Sequence, residues 1–356
     1  MKVLVTGIGI VSPLGLGRRE VWEAVKAGRK LAPAASTRFS IEGLGIPGVA
    51  EVPDLDMDRI LSGVDTRRMP RVSQFACAAA ALALKDAGLC ESAQGRTVGI
   101  DPVIGERLML CVASTHGSAE HAVKFHDEMI DYGSGKTSAM LFATSTYNAP
   151  ISAIAQSLRV KGPCHAIAGG CEAGIDVVGL GAEFIRAGLA DVALVGGTEE
   201  LSGVFLSAYR RFGALGGPVP AEGACFLVLE AESAAKARRA VSFCELTSYE
   251  TGMCPHGMTR QVCGNGGSRE KEERKSKCRM NSAPFVGRAF AMSSAADVAF
   301  SSMCLSEREV PEALVGKGGT HAIRQGGADV FIARSDATIV GISWTRRWNV
   351  LGLSTT

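Results

Sequence analysis

A cysteine set where a short apolar strand turns into a long helix is a position that activates a thiol, and one segment of this 356-residue chain provides it. Gly162-Pro163-Cys164-His165-Ala166-Ile167-Ala168 reads as a short strand, Gly169-Gly170 as a tight turn, and Cys171 as the start of an Ala/Gly-rich helix reaching Ala187. Such a helix start aims backbone N–H groups and the positive end of the helix dipole at the sulfur, which favours thiolate over thiol. Cys171 is therefore the candidate nucleophile. Its neighbour Glu172 places a negative charge beside the sulfur and opposes ionisation. The competing reading is structural, a small buried residue in a tight strand-to-helix junction.

Other polar sets point less far. Gly133-Ser134-Gly135-Lys136-Thr137-Ser138 looks like the end of a phosphate loop, but Ile130 stands where that motif needs a glycine. Thr6-Gly7-Ile8-Gly9 hints at a dinucleotide turn, yet Ser12 occupies the third glycine position and no acidic residue follows at the required distance. Neither is expected to bind a nucleotide. Cys254, His256, Cys263 and Cys278 form a loose set without the paired ligands of structural zinc, so no metal is expected. His116, His121 and His126 recur every five residues, which spreads them around a helix; they are expected at the surface or in turns.

Positioning Cys171 requires a sheet and packed helices, and short β-rich runs do alternate here with Ala-rich helical ones, the pattern of an α/β fold. Strands are predicted over 3–11, 108–113, 192–195 and 226–229, the third ending in a Gly196-Gly197 turn. Helices are predicted over 20–27, 70–87, 149–158 and 171–187, with Gly88 and Gly188 as C-terminal caps of the second and fourth. Composition shifts after about residue 243. Residues 269–279 hold six basic and three acidic side chains, which suits a solvated loop. A helix over 288–305 and two weak strands, 329–333 and 338–342, follow. Two segments are expected, 1–242 with the cysteine turn and a divergent 243–356.

Lys+Arg 38 against Asp+Glu 36 leaves a net charge of +2, which argues against a nucleic-acid binder. Eleven cysteines without a spacing pattern suit a reduced, cytoplasmic protein better than a disulfide framework. The N-terminus reads as a buried strand, not a signal peptide, and no run approaches the ~20 apolar residues that span a bilayer, so membrane insertion is not expected.

An ordered series of segments resembles the β-ketoacyl-acyl-carrier-protein synthases of the thiolase-like superfamily. Val5-Thr6-Gly7-Ile8-Gly9-Ile10-Val11-Ser12-Pro13-Leu14-Gly15 looks like the family's opening strand and loop, and Thr146-Tyr147-Asn148-Ala149-Pro150 like its interface segment. The cysteine turn comes next, then 190–199 and Ala221-Glu222-Gly223-Ala224-Cys225-Phe226-Leu227-Val228-Leu229-Glu230. The resemblance implies a duplicated five-layer αβαβα fold with a shortened C-terminal half, and a dimer. It implies no cofactor. It makes Cys171 the residue that takes an acyl group from a carrier protein before condensation with a malonyl-carrier unit, in fatty-acid or polyketide-type synthesis.

The chain departs from that family where decarboxylation is promoted. No His-Gly-Thr occurs; His256-Gly257 is its nearest remnant and makes His256 a weak candidate. Over 285–295 the chain resembles the family's Gly-His segment, with Arg288 in place of the histidine. Arginine stays protonated and only donates hydrogen bonds, so it cannot act as a neutral imidazole. The family's closing glycine loop gives way to Ser343-Trp344-Thr345-Arg346-Arg347-Trp348-Asn349, read as a packed C-terminal edge. Phe142, Tyr147 and Asn148 are candidate substrate-binding residues, reaching the acyl tunnel of a facing subunit. Two functions stay open: an acyltransferase loaded on Cys171, and a non-catalytic, chain-length-factor-like partner of an active ketosynthase. The implied partners are an acyl carrier protein and a second subunit, identical or a ketosynthase.

Overall fold

A computed structural model describes residues 1–61, 64–93, 96–213, 215–254, 282–307, 309–314, 329–340 and 343–354. The strands are β1 (Val3–Ser12), β2 (Gly15–Leu16), β3 (Cys90–Ala93), β4 (Arg96–Ile100), β5 (Leu108–Ser114), β6 (Cys164–Ala168), β7 (Val192–Glu199), β8 (Gly223–Ala231), β9 (Cys244–Cys254), β10 (Asp329–Val340) and β11 (Ser343–Ser354). The helices are α1 (Gly17–Lys26), α2 (Met57–Ile60), α3 (Arg71–Ala87), α4 (Pro102–Glu106), α5 (Ala119–Tyr132), α6 (Ala139–Ser145), α7 (Ala149–Leu158), α8 (Ala173–Arg186), α9 (Gly203–Arg211), α10 (Glu232–Ala237), α11 (Ala283–Val286) and α12 (Phe290–Glu307).

One mixed sheet runs β10-β11-β9-β1-β8-β7-β5-β6, with β2 hairpinned onto β1 and β3–β4 a separate ribbon. Strands β6, β5 and β7 are mutually parallel, whereas β8 runs against β7 and β1 against β8. The C-terminal ends of β1, β5, β6 and β7 and the start of β8 therefore meet at one edge of the sheet.

Alternation along the central strands splits the core in two. Leu108, Leu110 and Val112 join the Ala-rich α3 and α7, while Met109, Cys111 and Ala113 join α8 and α12. Gly7 and Gly9, not expected to bind a nucleotide, are packing devices inside β1. A Cβ at Gly9 would collide with Ala79 O and Ala83 N of α3, and one at Gly7 with Ala83 O. Substituting Gly9 by Ala should therefore lower the free energy of unfolding by about 3 kcal/mol, read by urea denaturation. A loss below about 1 kcal/mol would show that α3 can move aside.

Helix α8 is clasped from both sides. Gly181 lies against Val195 of β7 and Leu229 of β8, and Gly179 against the Tyr249 ring of β9. Positions 179 and 181, two residues apart, point about 200° away from each other on the helix, so β9 covers the face opposite β7 and β8. Among the described residues, helices α3 and α7 cover one face of a single mixed sheet and α8 and α12 the other, with β9 of that same sheet reaching Gly179 of α8.

Several local expectations change. The Gly196-Gly197 turn is strand, since β7 continues to Glu199; glycine is needed at 197 because a Cβ would strike Ala291 of α12. The helix expected from Cys171 begins at Ala173, and that from Arg288 at Phe290. The two weak C-terminal strands are one, β10, paired with β11 over its whole length. The segment 343–349 is itself strand, seated between β10 and β9. Residues 269–279 lie outside the described residues.

Candidate active site

Cys171 sits in the turn between β6 and α8, immediately before Glu172, the N-cap of α8. The turn is anchored by Gly169 N–H donating to Ser114 O at 3.4 Å and Ala173 N–H to Gly170 O at 3.1 Å. Glu172 is 2% exposed and its carboxylate folds back over Gly170, whose Cβ would come within 2.6 Å of Oε2. Asp176, one turn on, is buried and accepts from Tyr249 Oη at 2.5 Å. Two buried carboxyl groups thus share with Cys171 the positive end of α8.

The start of α12 closes one side of this turn. A Cβ at Gly174 would collide with Ala291 O, so only glycine lets the two helix starts meet. Arg288 lies three residues earlier on that approach, half-buried, and its backbone N–H donates to Val219 O at 2.7 Å. Its guanidinium donates to the carbonyl of Gly216. The fold brings Arg288 and Cys171 to the same end of the molecule, with the guanidinium turned onto the 216–219 loop.

Residues 146–150 lie beside the turn that follows β5. Tyr147 packs on the turn after β5, with its ring 3.1 Å from the Cβ position of Gly117, where φ is +61°. Phe142, on α6, faces Phe125 at 5.6 Å. Phe142 is 58% exposed, Tyr147 50%, and Asn148 is exposed too. His256, Cys263 and Cys278 lie outside the described residues; Cys254 ends β9. No group of three His, Cys, Asp or Glu set to hold a metal occurs among the described residues.

His116 departs furthest from its expected place. It does lie in a turn, but its ring is enclosed: its side chain is 7% exposed, Nδ1 is 3.2 Å from Glu199 Oε2, and Nε2 is 2.8 Å from Tyr209 Oη. Phe205 and Phe290 flank it, with centroids at 4.3 and 4.6 Å. His121 bonds Thr144 at 2.8 Å, and burial pushes its imidazole below the usual range. His126 is exposed, as expected. The usable signal was position after a strand: side chains beyond the C-terminal ends of parallel strands line sites.

Glu200, beside Glu199, accepts from Val72 N–H at 3.0 Å and Glu120 N–H at 2.9 Å, tying together the starts of α3 and α5. Burial pushes its carboxyl from an ordinary 4.5 up to about 7, despite those two donors. Because the unfolded chain ionises first, Glu200 makes the fold lose stability as pH rises from about 4.5 to 7. Measured as Tm against pH, wild type should fall relative to Glu200→Gln across that interval and run parallel to it above. A constant difference across the interval would contradict the shift.

Residues 1–235 match the beta-ketoacyl synthase, N-terminal domain. The chain belongs to the β-ketoacyl synthase family. It is 31% identical over 287 residues to a protein of Streptomyces halstedii named as polyketide beta-ketoacyl synthase 1, covering 72% of this chain and 65% of that one. It is 26% identical over 288 residues to the 3-oxoacyl-acyl-carrier-protein synthase 2 of Staphylococcus aureus, covering 76% and 67%. The β-ketoacyl synthase match thus spans about two thirds of the length of these curated relatives.

Solved ketosynthases share the fold. The ishigamide ketosynthase/chain length factor superposes with a TM-score of 0.77 at 22% identity, over 100% of this chain and 99% of that one. A β-ketoacyl synthase from Burkholderia phymatum STM815 gives 0.77 at 19%, with the same coverage. A type II polyketide acyl-carrier protein complex with its ketosynthase, AntDE:AntF, gives 0.70 at 17%, again over 100% and 99%.

Proposed function

We propose that this protein is a β-ketoacyl synthase-like acyltransferase of fatty-acid or polyketide-type biosynthesis, loaded on Cys171. One observation carries the reading: in a chain of this family, Cys171 stands before a helix start at the edge where the parallel strands end. In the loading step the Cys171 thiolate attacks the acyl carbonyl of a carrier thioester, the carrier thiol leaves, and the acyl group remains as a thioester on Sγ. Condensation follows when a malonyl-carrier unit loses carbon dioxide and its carbanion attacks that thioester. We further propose the division into 1–242 and 243–356, with the nucleophile on the first segment.

The second reading, a chain-length-factor-like partner of an active ketosynthase, is favoured by Arg288. Where decarboxylation calls for a neutral imidazole, a guanidinium stands instead, spent on the Gly216 carbonyl. Both readings take an acyl carrier protein and a second subunit as partners. Residues of β6 are exposed except the half-buried Ile167, and Phe142, Tyr147 and Asn148 lie on the same exposed flank, which suits coverage by another subunit. A cytoplasmic location is part of this reading, for a chain whose eleven cysteines follow no disulfide spacing. No described helix is long and apolar enough to cross a membrane.

Incubation with an acyl-carrier thioester, read by intact mass, tests the first reading: one acyl group is gained. A chain that gains none, yet co-purifies with a co-expressed ketosynthase, is the partner instead.

A further inference from the structure

His116 lies two residues beyond β5 and Cys171 three beyond β6. Those strands pair in parallel with Ser114 opposite Ala168, so the two turns leave the sheet side by side. The first turn of α12 touches both: the Phe290 ring stands against the imidazole, and Ala291 O against Gly174 of α8. Glu199, 1% exposed at the end of β7, accepts from the Thr115 and His116 backbone N–H groups and faces Nδ1. An imidazole whose Nδ1–H is held by a buried carboxylate offers Nε2 as a base, and here Nε2 receives the Tyr209 hydroxyl. Tyr209, on α9, is itself half-buried.

We propose that Glu199, His116 and Tyr209 form a proton relay serving Cys171. The proposal rests on Cys171 as the acyl acceptor. The Cys171 thiol passes its proton to Tyr209 Oη, directly or through one water, while the Tyr209 proton moves to His116 Nε2. The resulting imidazolium is neutralised by Glu199, and a thiolate is left on Cys171. After that thiolate has displaced the carrier from its thioester, the protons return by the same path and the carrier departs as a thiol. Tyr209 acts on the reacting proton; Glu199 and His116 are positioning residues that work through it.

Among the described residues, the titratable groups facing the imidazole are Glu199 from β7 and Tyr209 from α9; Phe205 and Phe290 add none. The relay is tested on the full chain by iodoacetamide alkylation from pH 5.5 to 9.5, read on the Cys171 peptide by mass spectrometry. Tyr209→Phe keeps the ring and removes the hydroxyl; it and His116→Gln should raise the alkylation midpoint by about one pH unit and slow the pH 7 rate about tenfold. Phe205→Leu, which changes packing alone, should leave the midpoint in place. Superimposed profiles for wild type and Tyr209→Phe overturn the relay, as does an equal shift in Phe205→Leu. If His116→Gln does not fold, Tyr209→Phe decides. A shifted profile supports the relay even where no acyl donor loads, so this inference and the acyltransferase reading fail separately.

Discussion

Cys171→Ala is expected to abolish acyl loading. Wild type incubated with an acyl-carrier thioester gains one acyl group on the peptide that carries Cys171; the variant gains none. This selectivity follows from how the other described thiols are placed. Burial pushes Cys77, Cys111 and Cys244 up to about 12 and Cys225 higher still, so few thiolates form there near neutrality. Cys164 is exposed, but it opens a strand, has no helix start beneath it, and is itself pushed up by partial burial. Removing the charge beside the nucleophile should act the other way: Glu172→Gln is expected to speed loading about threefold at pH 7, since a neutral neighbour no longer opposes the thiolate. Undiminished loading of Cys171→Ala would remove the basis for the acyltransferase reading.

The second large effect falls on stability. Glu222→Ala should cost about 3–5 kcal/mol, read as a lowered urea midpoint, because it strips a buried carboxylate from a set of charged partners. Glu222 is fully buried and accepts from Arg38 at 2.7 Å, from Arg71 at 2.8 and 3.0 Å, and from the Val52 and Leu201 N–H groups at 3.0 Å each. It fastens the 36–54 loop, the start of α3 and the segment after β7 to the beginning of β8. The same arginines line a cleft of about 650 Å³ with Pro13, Leu14, Arg29 and Asp54. Glu222→Gln, which keeps one acceptor oxygen, should lose less. Equal stability of Glu222→Ala and wild type would mean that the arginines find other partners at no cost.

Much of this was legible in the chain. Strands at 3–11, 108–113 and 226–229 and the helices at 70–87 and 149–158 were readable because apolar runs, alanine repeats and capping glycines are local signals. Gly88, with φ of +69° at the end of α3, is one such signal confirmed. The Cys171 turn was visible for the same reason, since strand, glycine pair and helix are contiguous. Where reading failed, the cause was non-local. Gly196 and Gly197 look like a turn, yet they lie inside β7, where Phe226 presses on one face of the strand and Ala291 on the other, both far along the chain. The Gly7 and Gly9 pair looks like a phosphate turn, yet its glycines make room for α3.

His116 shows the limit most plainly. Its five-residue spacing from His121 and His126 places all three around one helix, but only the latter two belong to α5; His116 precedes it. Glu199, Tyr209 and Phe290 stand 83, 93 and 174 residues away and meet the imidazole solely because β5 and β7 pair in parallel and α12 returns to their ends. Local order, turn chemistry and a cysteine turn built on one continuous segment are dictated by nearest neighbours, which is why sequence reveals them. A cluster assembled from four distant segments depends on strand order and crossover, and those are decided by which faces bury together when the whole chain folds.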